Sequence, residues 1–322
     1  MMITLINKGA RMLAELKNGQ SFDKVLFIES IIKKTANNGN SYLDMLLKDN
    51  SASMNAKMWR ADGVDLNIIK AGIIATIKGR TEEYNGRAQL IVESITIIEE
   101  VDDTMMSQVY AAPPIKPAEM FEQIYAAASK LKNKELQILT CEILKENKER
   151  LLIFPGAKQM HHASRGGLLH HIHTMLRAAN ALTEVYEHLN KDLLYAAVIL
   201  HDIGKLDEIM LSEYGIPVDY TKEGKLLGHI VQGICIVETK AKELRISDDI
   251  ILMLKHCLLS HHYFADYGSP KMPLTAEAEI LYYLDVMDAR MFQISNALSM
   301  VEKGEFSQRV YALDNRSMYK FE

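Results

Sequence analysis

The segment LLYAAVILHDIGK, residues 193–205, is an apolar run of helical length that ends in an adjacent histidine and aspartate, His201 and Asp202. A helix that is apolar all round belongs in a protein core, and a buried aspartate without a partner costs a large free energy. The charge of Asp202 therefore needs compensation. A divalent cation would provide it directly, because imidazole and carboxylate groups are common ligands of transition-metal ions.

Further histidines and aspartates lie on other apolar helical segments, at His171, His229, His261, His262 and Asp285. Any one of these histidines taken alone is more often a hydrogen-bonded core or surface residue. The set changes this interpretation, because the segments that carry it must pack together into one core. The sequence therefore predicts a buried metal centre. Two ions that share one carboxylate would form a hydrolytic site for a phosphate ester.

The chain divides into a β-rich part and a helical part. Residues 1–98 contain five runs with the period of two that is typical of strands, with turn residues between them. Five short strands with a helical connection between the third and the fourth predict an OB-type barrel. Residues 99–117 are acidic and then proline-rich, which predicts a linker. Residues 118–322 have helical periodicity, so the expected fold is multidomain, a β-barrel followed by an all-α domain.

Aromatic and basic side chains of the barrel predict a surface for single-stranded nucleic acid. Strand alternation places Tyr42 on the polar face of the second strand, while Lys57 and Trp59 share a face of the third. Stacking on the rings, with phosphate contacts from Lys57 and Arg87, suits a sequence-tolerant strand binder. Any half-exposed sheet shows a similar pattern, and such barrels also serve as protein-interaction modules. This alternative stays open.

Composition limits the class of protein. The chain of 322 residues is 48% hydrophobic and 25% charged, the balance of an ordinary soluble protein, and its net charge of -5 argues against a uniformly basic surface for nucleic acid. Its three cysteines form no CxxC pair, so no disulfide framework is expected. No apolar run approaches a membrane span and no signal sequence is evident. We therefore expect a cytoplasmic protein with no membrane partner.

The order of the histidines and aspartates resembles the HD superfamily of metal-dependent phosphohydrolases, whose signature is a histidine, an adjacent His-Asp pair and a distant aspartate. A barrel followed by FPGAKQMHHASRGGLLHH (154–171), LLYAAVILHDIGK and the tail YALDNRSMYKF (311–321) is similar to the YhaM family of bacterial 3′-to-5′ exoribonucleases. This resemblance covers the chain from about Leu26 to Phe321. One departure is Tyr263, which stands where the family has glycine after the paired histidines.

The resemblance implies a binuclear site and assigns its residues. The implied ions are divalent, Mn above all, with Co, Ni and Fe as alternatives. The implied metal ligands are His171, His201, Asp202, His229, His261 and Asp285, with Asp202 shared by both ions. Asp202 and Lys205 are the implied catalytic groups, and it stays open which of His261 and His262 binds the metal. The implied substrate contacts in the helical domain are His162, His262, Asp288 and Arg290.

The activity implied by the resemblance is removal of nucleoside 5′-monophosphates from the 3′ end of single-stranded RNA, with single-stranded DNA as a further substrate. Two alternatives stay open. One is an HD phosphodiesterase of small or cyclic nucleotides, whose barrel serves oligomerisation. The other is a non-catalytic RNA-binding adaptor. The sequence is also compatible with a homo-oligomer.

Overall fold

The computed structural model describes residues 12–36, 38–59, 61, 63–110, 113–157 and 164–322. The chain forms two compact units. One unit comprises residues 1–112 and 212–218, and the other comprises residues 113–211 and 219–322. Separate clusters of buried apolar side chains form in the barrel and among the helices.

The first unit contains a closed five-stranded barrel. Its strands are β1 (Ser21–Thr35), β2 (Ser41–Lys48), β3 (Ser53–Met58), β4 (Ile74–Tyr84) and β5 (Arg87–Ile97). The strand order is β1-β2-β3-β5-β4, and β1 closes the barrel by pairing with β4. Strands β3 and β5 are parallel, while the other pairs are antiparallel. This order and closure confirm the predicted OB-type barrel.

The alternation seen in the sequence sets the two faces of β2. Leu43, Met45 and Leu47 are almost fully buried inside the barrel, whereas Tyr42 and Asp44 are only partly buried. The connection from β3 to β4 differs from the prediction. Its described residues form turns where a short helix was expected. A turn needs no apolar face, and this connection carries its apolar residues without a sustained helical period.

Residues 99–117, predicted as a linker, contain the helix α1 (Asp103–Val109). Val109 and the following Tyr110 are buried in a small apolar cluster with Phe27 and Ile74 of the barrel. The division between the two units falls between residues 112 and 113. The predicted boundaries at residues 98 and 118 stay predictions.

The second unit is mainly helical, which confirms the predicted class. Its helices are α2 (Pro117–Ala128), α3 (Lys134–Glu146), α4 (Lys148–Ile153), α5 (Gly167–Val185), α6 (Lys191–Leu200), α7 (Lys205–Glu208), α8 (Lys222–Leu244), α9 (Asp248–Ser260) and α10 (Ala276–Ser299). The short strand β6 (Ile209–Leu211) follows α7 in this unit, and the short strand β7 (Pro217–Tyr220) begins in the first unit, since Pro217 and Val218 belong to it. In the part of the chain that the structure describes, none of the helices combines the length and hydropathy of a bilayer-spanning segment.

Helix α6 lies in the centre of this unit and positions the His-Asp pair. Residues 193–200 are all 8% exposed or less. The side chain of Asn190 caps the first turn by accepting a hydrogen bond from the Leu193 N–H. The helix ends at Leu200, so His201 and Asp202 follow it directly and are almost completely buried.

Candidate metal centre

The structure brings the histidines and aspartates of the helical unit together. Two groups of side chains have ligand atoms that all lie within 4.8 Å of one another. The first group is His171, His201 and Asp202, and the second is His229, His261 and His262. Asp285 adjoins the first group, because its Oδ1 lies 3.3 Å from Nε2 of His171.

Five different elements carry these residues. His171 lies in α5 and Asp285 in α10, while the His-Asp pair follows α6 and the paired histidines follow α9. His229 lies inside α8, directly after Gly228, whose backbone is not helical (φ 70°, ψ 168°). Side chains rarely allow a positive φ of this size, so glycine is suited to this break. The helix restarts at His229.

The carboxylate of Asp202 lies between the two groups. Its Oδ2 is 3.2 Å from Nε2 of His201 and 3.8 Å from Nε2 of His171. Its Oδ1 faces the other way, 3.5 Å from Nε2 of His229 and 3.9 Å from Nε2 of His261. One oxygen therefore faces each group, which is the arrangement that a carboxylate shared by two cations requires.

Backbone carbonyl oxygens fix the tautomer of three of these rings. The acceptors are Val198 O for His201 (2.9 Å), Leu258 O for His261 (2.7 Å) and Tyr267 O for His262 (2.6 Å). Each oxygen contacts Nδ1 of its ring. Since a carbonyl oxygen only accepts, Nδ1 must carry the hydrogen, and in the neutral ring the lone pair lies on Nε2.

Carboxylates hold the other two rings in the same way. Nδ1 of His171 lies 2.6 Å from Oδ2 of Asp288, and Nδ1 of His229 lies 3.3 Å from Oε1 of Glu208. The same Glu208 oxygen accepts the backbone N–H of His229 at 3.0 Å. Such partners commonly orient histidines that bind metals. Sequence reasoning missed Glu208, whose position in the short α7 gives no signal of a contact 21 residues away.

The Nε2 atoms of the histidines face one another, and too few hydrogen-bond donors lie between them to satisfy every acceptor. Nε2 of His171 and Nε2 of His201 lie 3.3 Å apart. Among the described residues, the buried atoms Oδ1 of Asp202, Nε2 of His229 and Nε2 of His261 have no hydrogen-bond partner. Buried acceptors left in this state cost free energy, and a cation would satisfy them. The residues therefore fit divalent metal ions, whose preferred ligands are these groups.

The carboxylates around His171 favour a positive charge at this point of the site. Burial lowers the pKa of His171, but hydrogen bonds to Asp285 and Asp288 outweigh it and raise the pKa to about 9. Burial also lowers the pKa of His261, and the neighbouring His262 lowers it further, so His261 is a neutral ring. A neutral imidazole is the form that binds a metal.

Lys205 lies at the start of α7 beside Asp202. Its Nζ donates to Oδ2 of Asp202 at 2.6 Å and to the carbonyl oxygen of Gly156 at 2.9 Å. Burial opposes the charge of Asp202, but Lys205 and His201 keep the pKa of that carboxyl well below its usual range. The site thus holds a carboxylate and an ammonium in contact, next to both groups of histidines.

The other predicted contacts of the helical unit lie in different environments. Arg290 is partly exposed and forms an ion pair with Asp314 at 2.9 Å. Asp288 contacts His171, and His262 belongs to the second histidine group. His162 lies outside the described residues.

In the barrel, the structure gathers aromatic rings around Lys57. Its Nζ lies 5.5 Å from the ring centre of Tyr42, 5.2 Å from that of Trp59 and 5.4 Å from that of Tyr84. The rings of Tyr42 and Trp59 are 5.1 Å apart. Trp59 is 47% exposed and Tyr84 is 61% exposed. The side chain of Arg87 lies outside the described part of the chain.

Comparisons with known proteins agree with this architecture. Residues 167–290 match the HD domain family, a range that includes both groups of histidines and Asp285. A barrel joined to an HD domain with this cluster defines a protein of the HD class with an additional OB-type unit.

Curated relatives named 3′-5′ exoribonuclease YhaM are similar to nearly the whole chain. The protein of Geobacillus sp. (strain WCH70) is 39% identical over 94% of this chain and 92% of its own length. The protein of Bacillus subtilis (strain 168) is 37% identical over 94% of this chain and 95% of its own length. The chain therefore belongs to the YhaM family.

A solved OB-fold structure is similar to part of this chain. The second OB-fold domain of replication protein A from Methanococcus maripaludis is 21% identical and covers 29% of this chain and 98% of its own, with a TM-score of 0.24.

Proposed function

We propose that this chain is a metal-dependent 3′-to-5′ exoribonuclease that removes nucleoside 5′-monophosphates from single-stranded RNA. The names of its relatives support this activity, since the similarity extends over 94% of the chain. The observation that carries the proposal is the convergence of histidine Nε2 atoms on both oxygens of Asp202. This convergence suits a hydrolytic site built on two cations.

The proposed site takes two divalent ions, Mn above all, with Co, Ni or Fe as substitutes. Asp202, whose two oxygens face different histidine groups, would be a ligand of both. The other proposed ligands are His171, His201 and Asp285 for one ion, and His229 and His261 for the other. His262 presents a further Nε2 to the second group. Asp288 and Glu208 orient His171 and His229 through their Nδ1 atoms.

The reaction is hydrolysis of the last phosphodiester bond of the strand. Bound divalent ions supply an activated water and neutralise the charge that develops on the phosphate. Lys205 adds a charged ammonium group that can donate a hydrogen bond to a phosphate oxygen. The oxygen of the water bonds to phosphorus, the bond from phosphorus to the 3′ oxygen of the preceding ribose breaks, that oxygen takes a proton, and the nucleoside 5′-monophosphate leaves. His162, His262 and Arg290 are the proposed contacts of the departing nucleotide.

The barrel is proposed to hold the upstream part of the strand. Tyr42 and Trp59 offer rings for base stacking, and Lys57 and Arg87 offer charges for phosphates. Contacts of this kind do not depend on the ribose 2′-OH, so single-stranded DNA is an additional substrate. We assign residues 1–98 to this binding unit, 99–117 to the linker and 118–322 to the catalytic unit. The proposed location is the cytoplasm, and a homo-oligomer is compatible with the activity.

The test compares one single-stranded RNA labelled at its 3′ end or at its 5′ end, incubated with Mn or with a chelator. We expect immediate release of the 3′ label as a mononucleotide, a ladder of shortening fragments from the 5′ label, and no reaction with the chelator. Internal cleavage, or equal rates with and without metal, would contradict the proposal. Preferential hydrolysis of free or cyclic nucleotides would favour the small-nucleotide phosphodiesterase, and RNA binding without any hydrolysis would favour the adaptor.

A further inference from the structure

Five aromatic side chains beside the metal centre have no part in the function proposed above. We call them the aromatic cluster, and its members are Tyr263, Phe264, Tyr267, Tyr282 and Tyr283. Neighbouring ring centres lie 4.7 Å apart for Tyr263 and Phe264, 4.8 Å for Tyr263 and Tyr282, and 5.2 Å for Tyr282 and Tyr283. The ring of Tyr267 lies 6.1 Å from that of Phe264. These spacings are typical of interacting aromatic rings.

The aromatic cluster is tied to the metal centre at two points. Tyr263 follows His262 directly, and the carbonyl oxygen of Tyr267 holds Nδ1 of His262 at 2.6 Å. On α10, Tyr282 precedes Asp285 by three residues, so both lie on one face of the helix. The pKa of Tyr282 is raised, first by burial and then by Tyr263, Tyr267 and Asp285. The rings therefore border the proposed metal ligands.

Core packing does not account for three of these rings, which are exposed, while Tyr263 and Tyr282 are half-buried. Phe264 is 44% exposed, Tyr267 69% and Tyr283 54%. A group of exposed aromatic side chains is typical of a binding surface.

The backbone of Tyr263 supports the same interpretation. Its φ is +66°, a left-handed conformation that is rare for a bulky residue and is often found at functional sites. Here it places the Tyr263 ring between Phe264 and Tyr282.

We propose that the aromatic cluster is the subsite for the 3′-terminal nucleobase of the RNA, whose terminal phosphodiester lies at the metal centre. The inference rests on the proposed exoribonuclease function. Base and phosphate of one nucleotide are neighbours, as are the aromatic cluster and the metal ligands. Stacking on aromatic rings accepts every base, because each base has a π-face. Such a subsite therefore suits an enzyme that shortens RNA of any sequence.

The experiment uses two RNAs of identical length and sequence, one with an ordinary 3′-terminal nucleotide and one whose terminal ribose lacks its base. Release of the terminal residue by the full-length, Mn-loaded protein gives kcat/KM for each. A stacked base is worth ~1–3 kcal/mol, so we expect the abasic terminus to react roughly tenfold more slowly. Phe264→Leu and Tyr282→Leu should slow the ordinary RNA but leave the abasic RNA unchanged, so that the ratio approaches one.

Phe306→Leu is the matched control. Phe306 is an exposed ring outside the aromatic cluster that pairs with Tyr319, and its variant should keep the parental ratio. Metal content, measured on all variants, should be unchanged. This second readout separates a lost stacking contact from a damaged metal centre.

Three results would overturn the inference. Equal kcat/KM of the parent protein on both RNAs would remove the base subsite and leave the exoribonuclease function intact. A lower solution mass of Phe264→Leu, with an unchanged ratio, would assign the rings to a contact with a second copy of the chain. No terminal release from either RNA in the presence of Mn would remove the proposed function and the inference together.

Discussion

At the scale of single residues, Asp202 has the most demanding environment of the site. It is buried, contacts Lys205 at 2.6 Å, and directs its two oxygens at different histidine groups. Asp202→Asn keeps the shape and removes the charge. We expect RNA hydrolysis to fall by more than roughly 100-fold, since even residues that only support a metal ligand cost 10–100-fold, while RNA binding stays near the parental level. Turnover and a filter-binding assay measure the two effects, and parental turnover would exclude the metal mechanism.

Glu208 offers a second test at this scale, because it acts on the metal centre only through His229. Glu208→Gln retains an oxygen for the backbone N–H of His229 and removes the charge that faces Nδ1. We expect affinity for divalent metal to fall by roughly 10–100-fold. Calorimetric titration of the metal-free protein with Mn measures this affinity without any reaction.

Glu223→Gln serves as the control for that titration, since Glu223 is an exposed carboxylate near the start of α8. It should bind Mn as the parent does. Equal affinities of Glu208→Gln and the parent would show that Glu208 has no influence on metal binding.

The sequence predicted which residues meet, but not how their rings are oriented. Apolar runs identify buried helices, and polar residues within them, such as His201 and Asp202, need a partner. Which residue orients each ring is determined by the tertiary fold, and the sequence does not show it. His171 and Asp288 are 117 positions apart, and no local pattern encodes that contact. For the same reason, no local pattern identified Glu208 as the partner of His229.

At the scale of secondary-structure elements, the close approach of α7 to α8 positions His229. Gly204, next to the start of α7, has an ordinary right-handed conformation (φ -66°), but a Cβ there would overlap the carbonyl oxygen of His229. Gly204→Ala should therefore move His229 and lower the free energy of unfolding by about 1–3 kcal/mol. Thermal denaturation and Mn titration measure the two effects.

Gly233 on α8 provides the matched comparison. A Cβ at this position would lie 3.4 Å or more from its neighbours, which is ordinary contact. Gly233→Ala should leave Mn binding unchanged and raise stability by about 0.5–1 kcal/mol, because alanine favours a helix more than glycine does. Equal stabilities and equal Mn affinities of Gly204→Ala and Gly233→Ala would contradict the steric argument.

Elements with a regular period were the most predictable. The five strands of the barrel and the helical second part were both expected from such periods, and both are observed. Short or interrupted elements were harder to predict from the sequence. The break of α8 at Gly228 and the helix α1 have no sustained period that could announce them.

At the scale of the whole molecule, the proposal assigns strand binding to one unit and hydrolysis to the other. Trp59 lies in the barrel and contacts the ring of Tyr42. We expect Trp59→Ala to raise KM for a long RNA by roughly tenfold, the effect of one lost stacking contact. Turnover of a dinucleotide should not change, because a dinucleotide is too short to need an upstream binding surface. Ile68→Ala, at an exposed apolar residue between β3 and β4, is the control. An equal loss on both substrates would contradict this separation of roles.

If the site binds metal as proposed, we expect the inward-facing lone pairs of the histidines to affect the lifetime of the protein as well. A ligand that binds the folded chain and not the unfolded chain shifts the folding equilibrium by mass action. Within the described part of the chain, the native fold brings together acceptors that have no hydrogen-bond partner, so the free concentration of the proposed ion would contribute to the folding equilibrium. If the proposed divalent ions bind, a cell short of them would hold protein that unfolds more often, and proteases would lower its abundance.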